Sequence, residues 1–122
     1  MLTIKKIDNN IQVAAYCRDH ALTAPLDKPS QFMGLFEGDT LCGLGALTLE
    51  GTKVFMNFIH AEDELLIHGL AKALLNMADL RGIKTVYGTN QALESLYRRL
   101  RFEKTEAEYV LSLAGYFTAE AH

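Results

Sequence analysis

The chain has 122 residues, of which 49% are hydrophobic and 22% charged, the makeup of one ordinary folded domain with enough material for a two- or three-layer core. A formal net charge of -3, with no Lys/Arg run longer than two, offers no general attraction for nucleic acid or an anionic membrane. The first residues, M-L-T-I-K-K-I-D, lack the apolar stretch of a signal peptide, and no apolar run approaches the roughly 18 residues of a membrane span, so a cytoplasmic location is expected.

Leu2 to Ile7 alternates weakly and predicts an edge strand. Asp8 or Asn9 then caps a helix over Ile11 to Ala21, with Ile11, Ala14, Ala15 and Leu22 expected on its buried side. Pro25 and Pro29 bracket a loop. From Phe32 the pattern turns to strand. Phe32 to Glu37 and Leu41 to Leu49 flank Glu37-Gly38-Asp39-Thr40, whose Gly-Asp pair suits a tight hairpin turn. A second turn, Glu50-Gly51-Thr52-Lys53, leads into Val54 to Ile59, so three hairpin-linked strands predict an antiparallel meander.

Acidic residues between Ala61 and Glu64 precede a helix from about Leu65 to Leu80. Leu66, Leu70, Ala73, Leu74 and Met77 recur along it at helical spacing, and Gly82 stops it, with Arg81 favourable at its negative end. Ile83, Val86 and Tyr87 predict a short buried strand, after which Asn90 caps a helix carrying Ala92, Leu93, Leu96 and Leu100. Tyr109 to Leu113 is the last strand. The order β-α-β-β-β-α-β-α-β predicts an α/β fold, a mixed central sheet flanked by helices on both faces, in a single domain spanning residues 1–122.

Cys17 and Cys42 are far apart and form no C-x-x-C pair, which predicts small reduced hydrophobes. His20, His60, His68 and His122 show no tight ligand spacing, so no metal is expected.

The most specific pattern lies in Gly82 to Phe102, G-I-K-T-V-Y-G-T-N-Q-A-L-E-S-L-Y-R-R-L-R-F. A strand ends, Asn90 follows, and the next helix carries Leu96, Tyr97 and, just beyond, Phe102. This order resembles the last motif of the GNAT superfamily of N-acetyltransferases, in which the helix reads L-Y-x-x-x-G-F. Arg101 stands here where that family has glycine, a position that commonly needs a backbone conformation favourable only without a Cβ. In the family the tyrosine stands beside the thioester sulfur of acetyl-coenzyme A. The resemblance therefore implies that Tyr97 donates a proton to the departing thiolate, which a phenol of ordinary pKa near 10 holds at neutral pH. It also implies a coenzyme contact at Asn90, which reads equally as a helix cap.

The family's coenzyme signature, Q/R-x-x-G-x-G/A, finds its counterpart in Leu66-Ile67-His68-Gly69-Leu70-Ala71. There, unpaired backbone N–H groups and the positive end of a helix dipole converge on the pyrophosphate. Gly69 and Ala71 fit the small positions. Leu66 replaces the Gln or Arg, and His68 and Lys72 are the positive groups nearby. The resemblance implies acetyl-coenzyme A as co-substrate against His68, Gly69, Leu70, Ala71 and Lys72, whereas the residues alone read equally as an amphipathic core helix. Phe58, Ile59 and His60 end the strand that in this family splays from its parallel neighbour and pairs with the pantetheine; they read equally as core strand residues.

The acceptor implied is a primary amine, on a small molecule or a peptide, and it must lose a proton before attack. His60 is the first candidate base and Glu62 the second. Asn57, polar in an apolar strand, faces either the cleft or solvent. Two further readings stand beside the enzyme: a non-catalytic acyl-coenzyme A sensor or protein-interaction module on the same fold, and a homodimer in which two chains complete the acceptor pocket.

Overall fold

The computed structural model describes residues 1–117, and His122 lies outside them. Strands β1 (Leu2–Ile7), β2 (Ser30–Glu37), β3 (Thr40–Glu50), β4 (Lys53–Ala61), β5 (Thr85–Gly88), β6 (Glu103–Lys104) and β7 (Tyr109–Ser112) form one seven-stranded sheet in the order β1-β2-β3-β4-β5-β7-β6. Every neighbouring pair is antiparallel except β4 with β5. The expected meander is β2-β3-β4, and β1 is the expected edge. Strand β6 was not legible in the sequence, since two residues carry no period.

The helices are α1 (Asn10–Asp19), α2 (Ile67–Leu80) and α3 (Glu94–Arg99). They divide between the faces of the sheet. Leu70, Leu74 and Leu75 of α2 and Leu96 and Tyr97 of α3 share one core with Met56, Ile59 and Val86. Val13, Tyr16 and Cys17 of α1 share the other with Phe32, Phe36, Leu44 and Ala46. Each fully buried leucine contributes about 2 kcal/mol of transfer free energy. Helix α2 lies directly on β3: a Cβ built on Gly45 would stand 2.6 Å from Leu74 Cδ1. Among the described residues no helix is long and apolar enough to cross a membrane.

The face assigned to α1 needs correcting. Asn9 is its cap, accepting from Ile11 N and Gln12 N, but Ile11 is 81% exposed, and Ala14, Ala15 and Leu22 are only half-buried. Val13, Tyr16 and Cys17 form the buried stripe instead, because the two aromatic- and sulfur-bearing residues fill more of the space over β2 and β3 than alanines could. The expected helix from Leu65 begins as a 3-10 turn, Glu64–Leu66, before α2.

Both later helices end in the same motif. In α2, Ile83 N donates to Ala78 O and Gly82 N to Asp79 O, with Gly82 at φ 82°. In α3, Phe102 N donates to Tyr97 O and Arg101 N to Arg98 O, with Arg101 at φ 71°. Arginine thus holds the left-handed conformation that the resemblance assigns to glycine, and the turn is unchanged. Replacing Arg101 by glycine should therefore raise the unfolding free energy by roughly 1 kcal/mol, the strain of a left-handed L-residue less the flexibility glycine adds. A urea titration checks this; an unchanged or lower midpoint contradicts it.

Candidate active site

Strands β4 and β5 pair only at Val54–Val86 and Phe55–Tyr87. Beyond Phe55, β4 runs on to Ala61 with no β5 partner, so the two parallel strands open into a V. A bulge sits where they part. Phe55 pairs with Thr48 and Phe58 with Ala46, which leaves Met56 and Asn57 together opposite the single residue Leu47. This extra residue frees Asn57 from the regular ladder.

The floor of the V is a polar network built on that bulge. Tyr97 donates its hydroxyl hydrogen toward Met56 O at 2.7 Å, with Asn57 Oδ1 3.0 Å away. The Asn57 amide then bridges to the end of β5: Thr89 N donates to Oδ1 and Nδ2 donates to Thr89 Oγ1, each at 2.8 Å. Asn90, which caps the turn into α3 by accepting from Ala92 N, also donates through Nδ2 to Asn57 O at 2.9 Å. The expected cap at Asn90 is thus present, and the same side chain ties the cap to β4.

Tyr97 reaches this floor because Gly88 has no side chain, so its ring lies against the end of β5. Phe102 and Tyr109 hold the ring on its other sides, with centroids 5.0 Å away in each case. The residue is 0% exposed, and burial pushes its pKa well above the ordinary phenol value. Such a hydroxyl keeps its proton and acts as a hydrogen-bond donor.

His60 and Glu62 lie in a second cluster, against α1. His60 Nδ1 is 2.8 Å from the Tyr16 hydroxyl. His20 places Nδ1 2.8 Å from Tyr16 O and Nε2 2.8 Å from Glu62 Oε2. Both of those partners are acceptors, so the two contacts together favour the doubly protonated ring. Its pKa is raised, first by the Tyr16 carbonyl and then by Glu62. His60 is the opposite case: burial, then the nearby His20 charge, lower its pKa and keep it neutral. Tyr16 is pushed upward by burial and then by Glu62, so its hydroxyl remains the donor to His60.

These shifts give opposite pH dependences. The stability from His20 is complete below the ordinary imidazole value of 6.5 and is lost as pH rises through its raised folded pKa. His60, depressed from 6.5, takes stability away as pH falls below that value, because the unfolded chain then binds a proton the folded one refuses. His20→Gln should flatten the alkaline limb of a pH series of urea midpoints and make the acid limb shallower without removing it, because burial remains the first cause of the His60 shift. Parallel limbs in both proteins would remove His20 from the account.

The expected coenzyme residues divide by burial. Leu70 and Ala71 are fully buried core, Ile59 is buried against α2, and Phe58 is half-buried toward α1. Lys72 lies over the Tyr116 ring at 5.1 Å, His68 is half-buried, and Gly69 is exposed with open space where a Cβ would be. The 3-10 turn ahead of α2 is capped, although Leu66 at the N-cap position of α2 itself makes no side-chain cap bond. Asp63 accepts from Leu65 N through Oδ1 and from Leu66 N through its carbonyl, and Ile67 N donates to Glu64 O. Three N–H groups at the helix start are therefore occupied, beside the carboxylates of Asp63 and Glu64. This arrangement was not expected from the sequence, although an Asp one residue before Glu64 is a cap signal.

Two cavities lie beside these elements, and the second shares Asn57 and Phe58 with β4. One, of about 340 Å³, runs between the helix starts, with Glu64, Leu65 and Ile67 on one side and Ala92, Leu96 and Arg99 on the other. A second, of about 240 Å³, lies between the Thr23–Lys28 loop and the sheet, where Thr48, Glu50, Asn57 and Phe58 face it. Asn57 belongs to both this cavity and the floor of the V. No group of three His, Cys, Asp or Glu side chains among the described residues is placed to hold a metal ion.

A GNAT-family protein from Desulfovibrio desulfuricans superposes on this chain with a TM-score of 0.72 at 10% identity, over 92% of this chain and 99% of that one. The chain has the GNAT acetyltransferase fold. A GNAT acetyltransferase from Elizabethkingia anophelis, solved with acetyl-CoA bound, matches with a TM-score of 0.66 at 10% identity over 92% and 98% of the two chains. A chain of the KacTA–DNA complex matches with a TM-score of 0.63 at 14% identity over 99% of both. No protein-family model and no curated protein matches the sequence. The GNAT likeness is therefore carried by backbone geometry, and the order of elements expected from the sequence differs from the observed one only by the short strand β6.

Proposed function

We propose that the protein is an N-acetyltransferase that moves the acetyl group of acetyl-coenzyme A onto a primary amine. The observation that carries this reading is the open V between β4 and β5, with the Tyr97 hydroxyl at its floor and a cavity sharing Asn57 with that floor. The thioester would enter from the groove between the helix starts, and the amine from the cavity beside Asn57. The amine nitrogen attacks the thioester carbonyl carbon, the C–N bond forms, and the C–S bond breaks to release the thiolate. Tyr97 exchanges its bond to Met56 O for one to the departing sulfur. The amine's proton leaves to water, since the lone-pair nitrogen of neutral His60 is taken by the Tyr16 hydroxyl and the Glu62 carboxylate is engaged by His20. Positioning supplies most of the acceleration.

The acidic, capped turn ahead of α2 favours a second reading, a GNAT-fold module without catalysis. Asp63 and Glu64 put negative charge just ahead of the Leu66–Ala71 segment, where it would disfavour a pyrophosphate, and Leu66 offers no cation. On the enzymatic reading this weakens coenzyme binding to the micromolar-to-millimolar range without abolishing it. Acetyl-coenzyme A at millimolar concentration should raise the melting temperature by mass action. Release of free thiol should accompany it when amines are supplied. A melting temperature unmoved by millimolar ligand, with no thiol released, selects the module.

A further inference from the structure

The cavity beside Asn57 is electrostatically two-ended. Its inner end, formed by Thr48, Asn57 and Phe58, carries no charged side chain, and Asn57 there touches the Tyr97 hydroxyl. Its outer end carries Asp27, Lys28 and Glu50, two carboxylates against one ammonium. Lys28 Nζ lies 2.6 Å from Glu50 Oε1, with the two side chains 44% and 39% exposed. An ammonium on a flexible four-carbon stem is therefore already seated at this wall, held by one exposed ion pair that other cations can displace.

An amine that attacks a carbonyl carbon must be uncharged. A carboxylate partner favours the charged form, as Glu50 does for Lys28, whose pKa it raises. A nitrogen held by Glu50 is thus the wrong one to react. The reacting nitrogen belongs at the uncharged inner end, and the carboxylates at the outer end serve a different group on the same molecule. The apolar surface of Ala24, Pro25 and Phe58 between them suits a short aliphatic chain.

We propose that this cavity selects an aliphatic amine bearing a second cationic group, of the diamine class, with Glu50 as the specificity-determining residue and Lys28 as the resident ammonium that the ligand displaces. The identity of the reacting end rests on the acyl-transfer reading; the binding does not.

Calorimetric titration of the full chain, without acetyl-coenzyme A, compares 1,4-diaminobutane with n-butylamine. The diamine should bind more tightly, and added salt should erode the difference. Lys28→Met removes the competitor and should tighten diamine binding by about five-fold, the size of one exposed ion pair. Glu50→Gln should erase the preference for the diamine. Both positions are exposed enough for the variants to fold, and a melting curve verifies it. Equal affinity for the two amines, or diamine affinity unchanged by Lys28→Met, overturns the proposal. Diamine selectivity together with no response to acetyl-coenzyme A would instead overturn the acyl-transfer reading and leave this pocket standing.

Discussion

Alanine at Gly88 should lower the unfolding free energy by about 3 kcal/mol, the sum of overpacking a filled core and losing one buried hydrogen bond. A Cβ there would stand 2.5 Å from Tyr97 Cε1 and 2.7 Å from its hydroxyl oxygen, and nearer still to Cζ. The ring has no room to retreat, because Phe102 and Tyr109 pack against it at 5.0 Å. Any displacement also removes the donor from Met56 O. Gly69→Ala is the control. It lies within α2 with open space around its Cβ position, so alanine should stabilise by roughly 1 kcal/mol through helix propensity. The ring-against-strand account fails if the two alanine variants unfold at the same denaturant concentration.

Tyr97→Phe carries the largest expected effect on turnover, a fall of roughly 10- to 1000-fold if the hydroxyl stabilises the departing thiolate. Acetyl-coenzyme A affinity should change little, since that interaction belongs to the transition state. Unlike a tyrosine with a solvated hydroxyl, this one also holds the buried carbonyl of Met56, so stability should drop by about 1–3 kcal/mol. Rates must be compared at a temperature where both proteins are folded. Turnover equal to wild type would take Tyr97 out of the chemistry and leave it as a brace across the bulge.

Much of the fold was legible because its signals are local. The hairpin turns at Gly38 and Gly51 take positive φ, Asn9 and Asn90 cap the segments they precede, and Gly82 ends α2 in the left-handed conformation. The buried face of α1 was not. Ile11, Ala14 and Ala15 satisfy helical spacing as well as Val13, Tyr16 and Cys17 do, and only the shape of the sheet beneath chooses between them.

The candidate site divides in the same way. Tyr97 and Asn90 were readable from their order in a motif. The parting of β4 from β5 was not, because an apolar strand reads alike whether or not its neighbour stays paired. Asn57 showed only as a polar residue among apolar ones. His20 and Tyr16 gave no signal, since their roles depend on α1 docking beside the end of β4. Arg101 gave no sign of its conformation: a non-glycine residue rarely takes positive φ, yet the two hydrogen bonds closing α3 hold it in the same turn that Gly82 makes after α2.

The bulge in β4 separates the architecture from the chemistry. Phe55 opposite Thr48 and Phe58 opposite Ala46 are the partners a regular ladder would have with one residue fewer between them. Deleting the codon for Asn57 would let Met56 settle opposite Leu47 and leave both flanking registers as they are. The sheet would lose nothing it needs. The floor of the V would lose its bridge to Thr89, its tie to Asn90 and one wall of the adjoining cavity. For a lineage carrying this domain, loss of the polar floor with retention of the scaffold is a single in-frame deletion, and the reverse change is a single insertion.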